Sequence, residues 1–314
     1  MLPSGRQLEL AAGDQRAVVV EVGGGLRAYS AGGAELVDGY PAEAICCSAR
    51  GQHLIPWPNR IEDGSYEFEG RRNQLPLNEV ELSNAIHGLV RWATWALRED
   101  GAGRAVAEHV LHPQPGYPYT LELSVEYALS EAGLRVQTTA TNGGSEPCPF
   151  GSGAHPYLTV GSATVDPVVL RVPARTVILA DERALPVGRL AVEGTPYDFR
   201  VPRPIGATVL DSAYTDLDRD EDGLVRVELH DPGTGRGLTL WADETYGYLM
   251  VFSGDPLPDV ARRSLAVEPM TCAVNAFRTG EGLIRLEPGE SVTSVWGIAP
   301  GAGNPHLPSA APPM

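Results

Sequence analysis

The feature that most constrains this chain is the recurrence, at short intervals, of stretches that alternate apolar with polar residues or concentrate β-branched ones: AVVVEV, RAYSA, YEFEG, TLELSVEYALS, GLRVQTTATN, DPVVLRVPARTVIL, VRVELH, GLTLWAD, YLMVFSG, RSLAVEP and SVTSVWGIA. A period of two places successive side chains on opposite faces of a strand, and the glycines and prolines between the stretches supply turn chemistry. Helical spacing is not sustained over three turns anywhere, apart from a weak signal at VRWATWALRED. The reading is an all-β, antiparallel chain with too many strands for a small barrel, so a large two-sheet β-sandwich is expected. At 314 residues the chain can be one such unit, and no internal repeat or low-complexity linker divides it. One domain over residues 1–300 is expected. The Pro-, Gly- and Ala-rich stretch 301–314 has little to bury and is expected to be disordered, which discounts His306.

Charge excludes several classes of partner. The formal net charge is -16, and no basic cluster exceeds a pair such as Arg71-Arg72 or Arg262-Arg263. Nucleic acid is therefore not an expected partner. All 24 cationic residues are arginine, which removes lysine Schiff-base chemistry and a P-loop lysine. No apolar run approaches the ~20 residues that span a bilayer, and the start MLPSGRQLEL lacks a basic segment followed by an apolar one, so neither a membrane span nor a signal peptide is expected. Cys46-Cys47, Cys148 and Cys272 have no C-x-x-C spacing, and a reducing cytoplasm is the expected compartment. Cys148 and Cys272 lie near the motifs below, but free cysteine usually packs as a small buried hydrophobe.

Four segments set one reactive side chain among glycines, aromatics and apolar residues: PWPNRIEDG with Arg60, NAIHGLVRW with His87, GSGAHPYL with His155 and SLAVEPMT with Glu268. His155 stands between a glycine-rich turn and Pro156, a setting for either a core histidine or an imidazole held at a cleft edge. His87 precedes Gly88, whose missing side chain leaves room for the imidazole; the plainer reading is a strand-end histidine. Leu265, Ala266 and Val267 argue that Glu268 is buried, which raises a carboxyl toward the range useful to a base. The alternative is a solvated charge on an edge strand. Arg60 offers fixed donors to ligand oxygens, or a salt bridge to Glu62 or Glu79. Asn59 and Asn84 suit polar contacts or turns. Trp57, Tyr157, Trp241 and Phe252 are candidate aromatic faces, and Trp57 and Tyr157 adjoin the motifs.

At these residues, and in the same order from about residue 17 to 300, the chain resembles the aldose 1-epimerase (galactose mutarotase-like) family. The resemblance implies an antiparallel β-supersandwich with a sugar cleft on one sheet. It further implies that His155 is the general acid toward the ring oxygen, Glu268 the base toward the C1 hydroxyl, and His87 a group orienting the sugar and stabilising developing charge. Arg60, Asp211, Asn59, Trp57 and Tyr157 would contact the substrate, with Asp216 a substitute for Asp211. The expected reaction interconverts the α and β anomers of a free hexose with no metal, nucleotide or redox cofactor. PWPNRI, AIHGLVRW and LDSAYTDL are most similar to a bacterial branch that includes proposed sulfoquinovose mutarotases, so an anionic sugar, sulfoquinovose or a hexose 6-phosphate, is an alternative substrate that Arg91 or Arg60 would grip. Rival readings are a noncatalytic carbohydrate-binding sandwich, a metalloenzyme using His87, His155 and Glu268, and a glycosidase using Asp211 and Glu268. No motif encodes oligomeric state or pathway.

Overall fold

The computed structural model of the protein describes residues 1–302. Two large antiparallel sheets dominate it. One has 12 strands, running in order through Gln7–Ala12, Gln15–Val20, Leu26–Ala31, Ala34–Val37, Tyr157–Leu158, Leu265–Met270, Tyr248–Phe252, Asp211–Leu217, Ala174–Ala180 and Pro186–Ala191, with His53–Leu54 and Gly153–Ala154 appended. The other has nine, from Ala96–Glu99 through Arg104–Leu111, Leu121–Ser130, Gly133–Asn142, Ser291–Ala302, Arg236–Ala242, Val225–Asp231 and Val169–Arg171 to Arg203–Pro204. Among the described residues, helix is confined to the four residues Ala276–Thr279 and a 3-10 turn at Val80–Leu82, and no helix is long and apolar enough to cross a membrane. The expected all-β, antiparallel architecture is what the chain adopts.

The alternation in sequence becomes the alternation in burial. Along Leu121–Ser130 the residues Leu121, Leu123, Val125, Tyr127 and Leu129 face inward, while Glu122 is exposed and Ser124 and Glu126 are partly so. Leu134, Val136 and Ala140 of the next strand, in ten-residue register with it, join the same core. One continuous cluster takes in residues of both sheets, including Tyr29, Trp95, Trp296, Leu240, Val251 and Val267. Burial of a side chain of this size contributes roughly 1.5–3 kcal/mol.

Two expectations require correction. The VRWATWALRED segment is not helical: Ala93 N–H closes a turn onto Val90 (3.1 Å), and Ala96–Glu99 continues as an edge strand on Arg104–Leu111. Val90, Trp95 and Leu97 all reach the core from this turn-and-strand path, which explains an apolar spacing that mimics a helix. The strand Ser291–Ala302 extends past the expected domain end, so residues 301 and 302 pair with Gly237 and Arg236. The rest of the tail, with His306, lies outside the described residues.

Leu123 is 3% exposed while its neighbour Glu122 faces solvent, so the two test the inward face directly. Leu123→Ala is expected to lower unfolding free energy in urea by about 2–5 kcal/mol, and Glu122→Ala by less than about 0.5 kcal/mol.

Candidate active site

The cleft opens on the face of the 12-stranded sheet turned away from the inter-sheet core, and has a volume of about 330 Å³. Its floor is the strand Leu265–Met270, in which all six residues are buried. Leu265 and Val267 point to the main core. The period of two sends Glu268 and Met270 to the other face, where Met270 joins Ile178, Ala213, Met250 and Val274 in a second apolar cluster. Met250 is also the cross-strand partner of Glu268, so an apolar side chain sits directly beside the carboxyl. Glu268 is 2% exposed, and burial, followed by the charge of Asp211, pushes its pKa well above the ordinary 4.5 against the opposing pull of Arg60.

His155 meets Glu268 from the link that follows the neighbouring short strand Gly153–Ala154, with Nε2 3.3 Å from Oε1. Gly153, two residues before it, lets this strand pack close: a Cβ there would stand 3.0 Å from Pro269 O and from Pro58 Cβ. The imidazole is buried, and burial first, then the charges of Arg91 and Arg50, bring its pKa down to about 3. Low dielectric therefore disfavours charge on both partners, raising the carboxyl and lowering the imidazole.

His87 lies edge-on to His155, with ring centroids 5.3 Å apart. It adopts φ 62°, and its neighbour across the loop, Asn59, adopts φ 53°. These left-handed backbones, costing about 1–2 kcal/mol for His87 and less for Asn59, are held by a reciprocal pair: His87 N–H donates to Asn59 O (2.9 Å), and Asn59 N–H donates to His87 Nδ1 (3.2 Å). Gly88 is required for a different reason than the sequence indicates. A Cβ there would fall 2.0 Å from Ile55 O, so it makes room for backbone rather than for the imidazole.

Because Nδ1 of His87 accepts a backbone N–H, the neutral ring carries its proton on Nε2. This bears on metal binding, since one potential ligand atom from each of His87, His155 and Glu268 lies within 4.8 Å of the others. A ligating histidine donates its second ring nitrogen's proton outward. His87 has the opposite arrangement, offering a hydrogen-bond donor where a metal needs a lone pair.

Arg60 lines the cleft, but its charge is engaged in the ion pair anticipated as the alternative. Its Nε and Nη2 bond both oxygens of Glu79 at 2.8 Å. Asn59 Oδ1 accepts from Arg60 N–H (3.0 Å), and Asn84 Nδ2 donates to Glu79 Oε2 (2.9 Å), so Asn84 braces the ion pair and does not line the cleft. Asp211 stands at the cleft mouth at the start of its strand, where it remains exposed to solvent. Asp216 is elsewhere, accepting from Thr176 Oγ1 at 2.6 Å. Tyr157 lines the cleft with its ring parallel to that of His155, 5.0 Å between centroids.

Trp57 is another candidate that the structure does not bring to the site. It is 2% exposed and packs on Phe277, ring centroids 5.6 Å apart, within the main core. Its neighbours Asn59 and Arg60 turn back to the cleft, which is why adjacency in sequence misleads here. Trp241 lies on the nine-stranded sheet, whereas Phe252 lines the cleft. Met250, Glu79 and Trp92 also line it. Trp92 is 54% exposed, and its place directly after Arg91 in the His87 motif is the signal that points to it. Cys148 and Cys272 are fully buried, with their thiols pushed up to about 11 and about 12 by burial, so neither is a nucleophile.

A sequence model of the aldose 1-epimerase family matches residues 6–298. The chain is 36% identical over 288 residues, 91% of each protein, to the uncharacterized Escherichia coli K12 protein YihR. Its fold is similar to that of a GalM/aldose epimerase homologue of C. elegans (TM-score 0.84, 18% identity, covering 95% of this chain and 99% of that one). It is also similar to a galactose 1-epimerase from Lactobacillus acidophilus NCFM (TM-score 0.82, 19% identity, covering 95% of each chain). With the family match running through every segment that forms the cleft, the chain belongs to the aldose 1-epimerase family.

Proposed function

We propose that the protein is a mutarotase, interconverting the α and β anomers of a free hexose, and that Glu268 and His155 carry the two proton transfers. The observation that carries this reading is the buried contact of 3.3 Å between them on the cleft floor. Ring opening needs a base at the C1 hydroxyl and an acid at the ring oxygen in the same step. Ionised Glu268 takes the hydroxyl proton while protonated His155 gives its own to the ring oxygen, the C1–O5 bond breaks, and an open-chain aldehyde results. Glu268 then holds the proton and His155 is neutral, the state that burial favours in the free protein. Rotation about C1–C2 presents the other carbonyl face. Closure reverses the transfers, His155 taking the proton of the O5 hydroxyl and Glu268 returning one to O1. The pair carries one proton and no net charge at every stage, which suits a site closed to water. His87, donating from Nε2, stabilises negative charge on a sugar oxygen, and Arg60 and Asp211 offer lateral contacts.

A noncatalytic sandwich has no use for two buried imidazoles against a buried carboxyl, since sugar binding alone is served by aromatic faces and exposed polar groups. A second reading concerns the substrate. Arg91 lines the cleft, its Nε is buried with no hydrogen-bond partner, and no carboxylate pairs with it among the described residues. Arg60 is neutralised by Glu79, so Arg91 is the guanidinium left for an anionic group, which favours a sulfonated or phosphorylated hexose.

Freshly dissolved α-glucose, α-galactose and a sulfonated or phosphorylated α-hexose, followed by polarimetry or anomeric proton NMR, test the activity. Wild type is expected to accelerate equilibration of at least one of them, EDTA to leave the rate unchanged, and Glu268→Gln to lower kcat by about 10²–10⁴. Its kcat/KM should follow a broad bell in pH. The acid limb, where the pair gains a second proton, lies below the ordinary histidine value of 6.5, and the basic limb, where the pair loses its proton, lies above the ordinary glutamate value of 4.5. Sugar binding without acceleration would return the chain to the noncatalytic reading.

The raised pKa of Glu268 also fixes a sign for stability. Its contribution is present below the unfolded pKa and is lost as pH rises through the folded one. Above that range the site pays for a buried anion, so Glu268→Gln is expected to raise unfolding free energy at pH 8, by on the order of 1 kcal/mol, while abolishing turnover. Differential scanning calorimetry of both proteins at pH 5 and pH 8 measures this. Arg91→Met is expected to raise KM for the anionic hexose about tenfold or more and to leave a neutral hexose nearly unaffected. Equal effects on both sugars would remove the anionic reading.

A further inference from the structure

Beside the cleft, packed on the ring of Tyr157, lies a charged residue that the proposed reaction does not use. Arg50 is 2% exposed and is not among the residues lining the cleft. Its guanidinium carbon sits 3.9 Å from the centroid of the Tyr157 ring. Neither Nη1 nor Nη2 makes a hydrogen bond. The nearest carboxylate, Asp38, is 3.6 Å from Nη1, and that carboxylate is committed elsewhere: it accepts from Ser264 Oγ at 2.6 Å and pairs with Arg263 at 2.9 Å. A buried cation without hydrogen bonds is costly, and ordinary packing would replace it by an apolar side chain.

What Arg50 does possess is a flat stack. Guanidinium and His155 ring both pack on the Tyr157 ring, and the two rings are 8° from parallel. The Tyr157 hydroxyl donates to Ser48 O (3.1 Å), and Asp38 N–H donates to Tyr157 O (2.8 Å), so the middle ring is fixed at its tip and at its backbone.

We propose that Arg50, which does not reach the sugar, is a positioning residue that acts on His155 through the Tyr157 ring. This rests on the mutarotase reading of the cleft. The stack sets the plane of the imidazole, so that Nε2 stays aimed at Glu268. The fixed positive charge held against the ring opposes a positive charge on His155 and keeps the resting proton of the pair on Glu268. The other groups facing His155 are Glu268 on its own sheet, His87 from the loop across the cleft, and Arg91 beyond it; Glu268 in turn feels Asp211 and Arg60. Arg50 differs from Arg91 in being sealed from solvent, so neither substrate nor salt relieves its effect.

The test pairs substitutions of opposite electrostatic sign. Arg50→Met removes the cation, Arg50→Lys retains it without the planar stack, and Asp38→Asn removes the nearest anion. Two readouts are taken: the pH profile of kcat/KM, and the titration of His155 by imidazole nitrogen NMR, with His155→Gln identifying the signal. In Arg50→Met the acid limb and the His155 titration are expected to move up by about one pH unit, with kcat lowered and KM little changed. Arg50→Lys should bring the limb back toward wild type, and Asp38→Asn should move it down. Packing damage alone does not shift a titration in opposite directions in two variants. If Arg50→Met does not fold, the direction in Asp38→Asn decides. Titrations within about 0.2 unit of wild type in the folded variants, whatever their thermal stability, would overturn the proposal. A shifted titration in a protein that interconverts no sugar would leave the coupling standing and remove the mutarotase reading instead.

Discussion

The site depends on one arrangement, a carboxyl and an imidazole placed in contact where water is excluded. Separately, each would pay several kcal/mol to ionise at such a depth. Together they need only one proton to be uncharged as a unit, and they can move that proton without creating net charge. A sugar hydroxyl and ring oxygen are poor acid and base in water, so a reaction between them gains most from partners that exchange a proton at constant total charge. The surrounding structure serves that condition. The strand carrying Glu268 is covered on both faces, Met250 lies beside the carboxyl in register, and the second apolar cluster keeps the floor dry.

The cations near this pair are handled in different ways, and the differences assign them different work. Arg60 is held in a bidentate bond to Glu79, itself braced by Asn84, so it presents a fixed, nearly neutral group to the cleft. Arg91 faces the cleft without a carboxylate. Arg50 is sealed from solvent against the Tyr157 ring and does not line the cleft. A chain whose formal charge is -16 could have neutralised all of them. That Arg60 has a bidentate partner while Arg50 keeps only a looser contact of 3.6 Å to Asp38 is therefore a property of local geometry rather than of composition.

Much of this was legible in the sequence, and the parts that were not share a cause. The alternation of TLELSVEYALS reports directly which residues face the core, and the apolar run before Glu268 reports a strand covered on both sides, because burial there follows from period and composition alone. Arg60 could be read as a sugar contact or as an ion pair, and its partner is 19 residues away in a turn whose approach only the folded chain creates. Trp57 adjoins the site in sequence, yet its side chain is drawn inward by Phe277, more than 200 residues distant. Arg50 follows a cysteine pair with no local pattern to mark it. The left-handed backbone of His87 is supported by Asn59 across a loop, so no window around His87 contains its cause. Periodicity encodes faces; it does not encode which distant backbone or charge completes a site.

The same logic explains why the cleft tolerates conformations that cost energy. Asn59, His87 and Asn275, at or beside the Arg60 segment, all have positive φ without being glycine, and Asn275 N–H donates to Arg60 O (2.8 Å) while its Oδ1 accepts Glu62 N–H (3.1 Å). Asparagine adopts this region at little cost, so the main penalty falls on His87, about 1–2 kcal/mol, still a noticeable part of a domain's net stability. These conformations can be sustained because the continuous core between the sheets is built from strands whose local preferences and burial agree, leaving a surplus for the cleft face. On that face the chain sets backbone preference against hydrogen bonds, and buried charge against a shared proton. Each compromise fixes the direction of a donor or acceptor that a freely relaxed loop would leave to solvent.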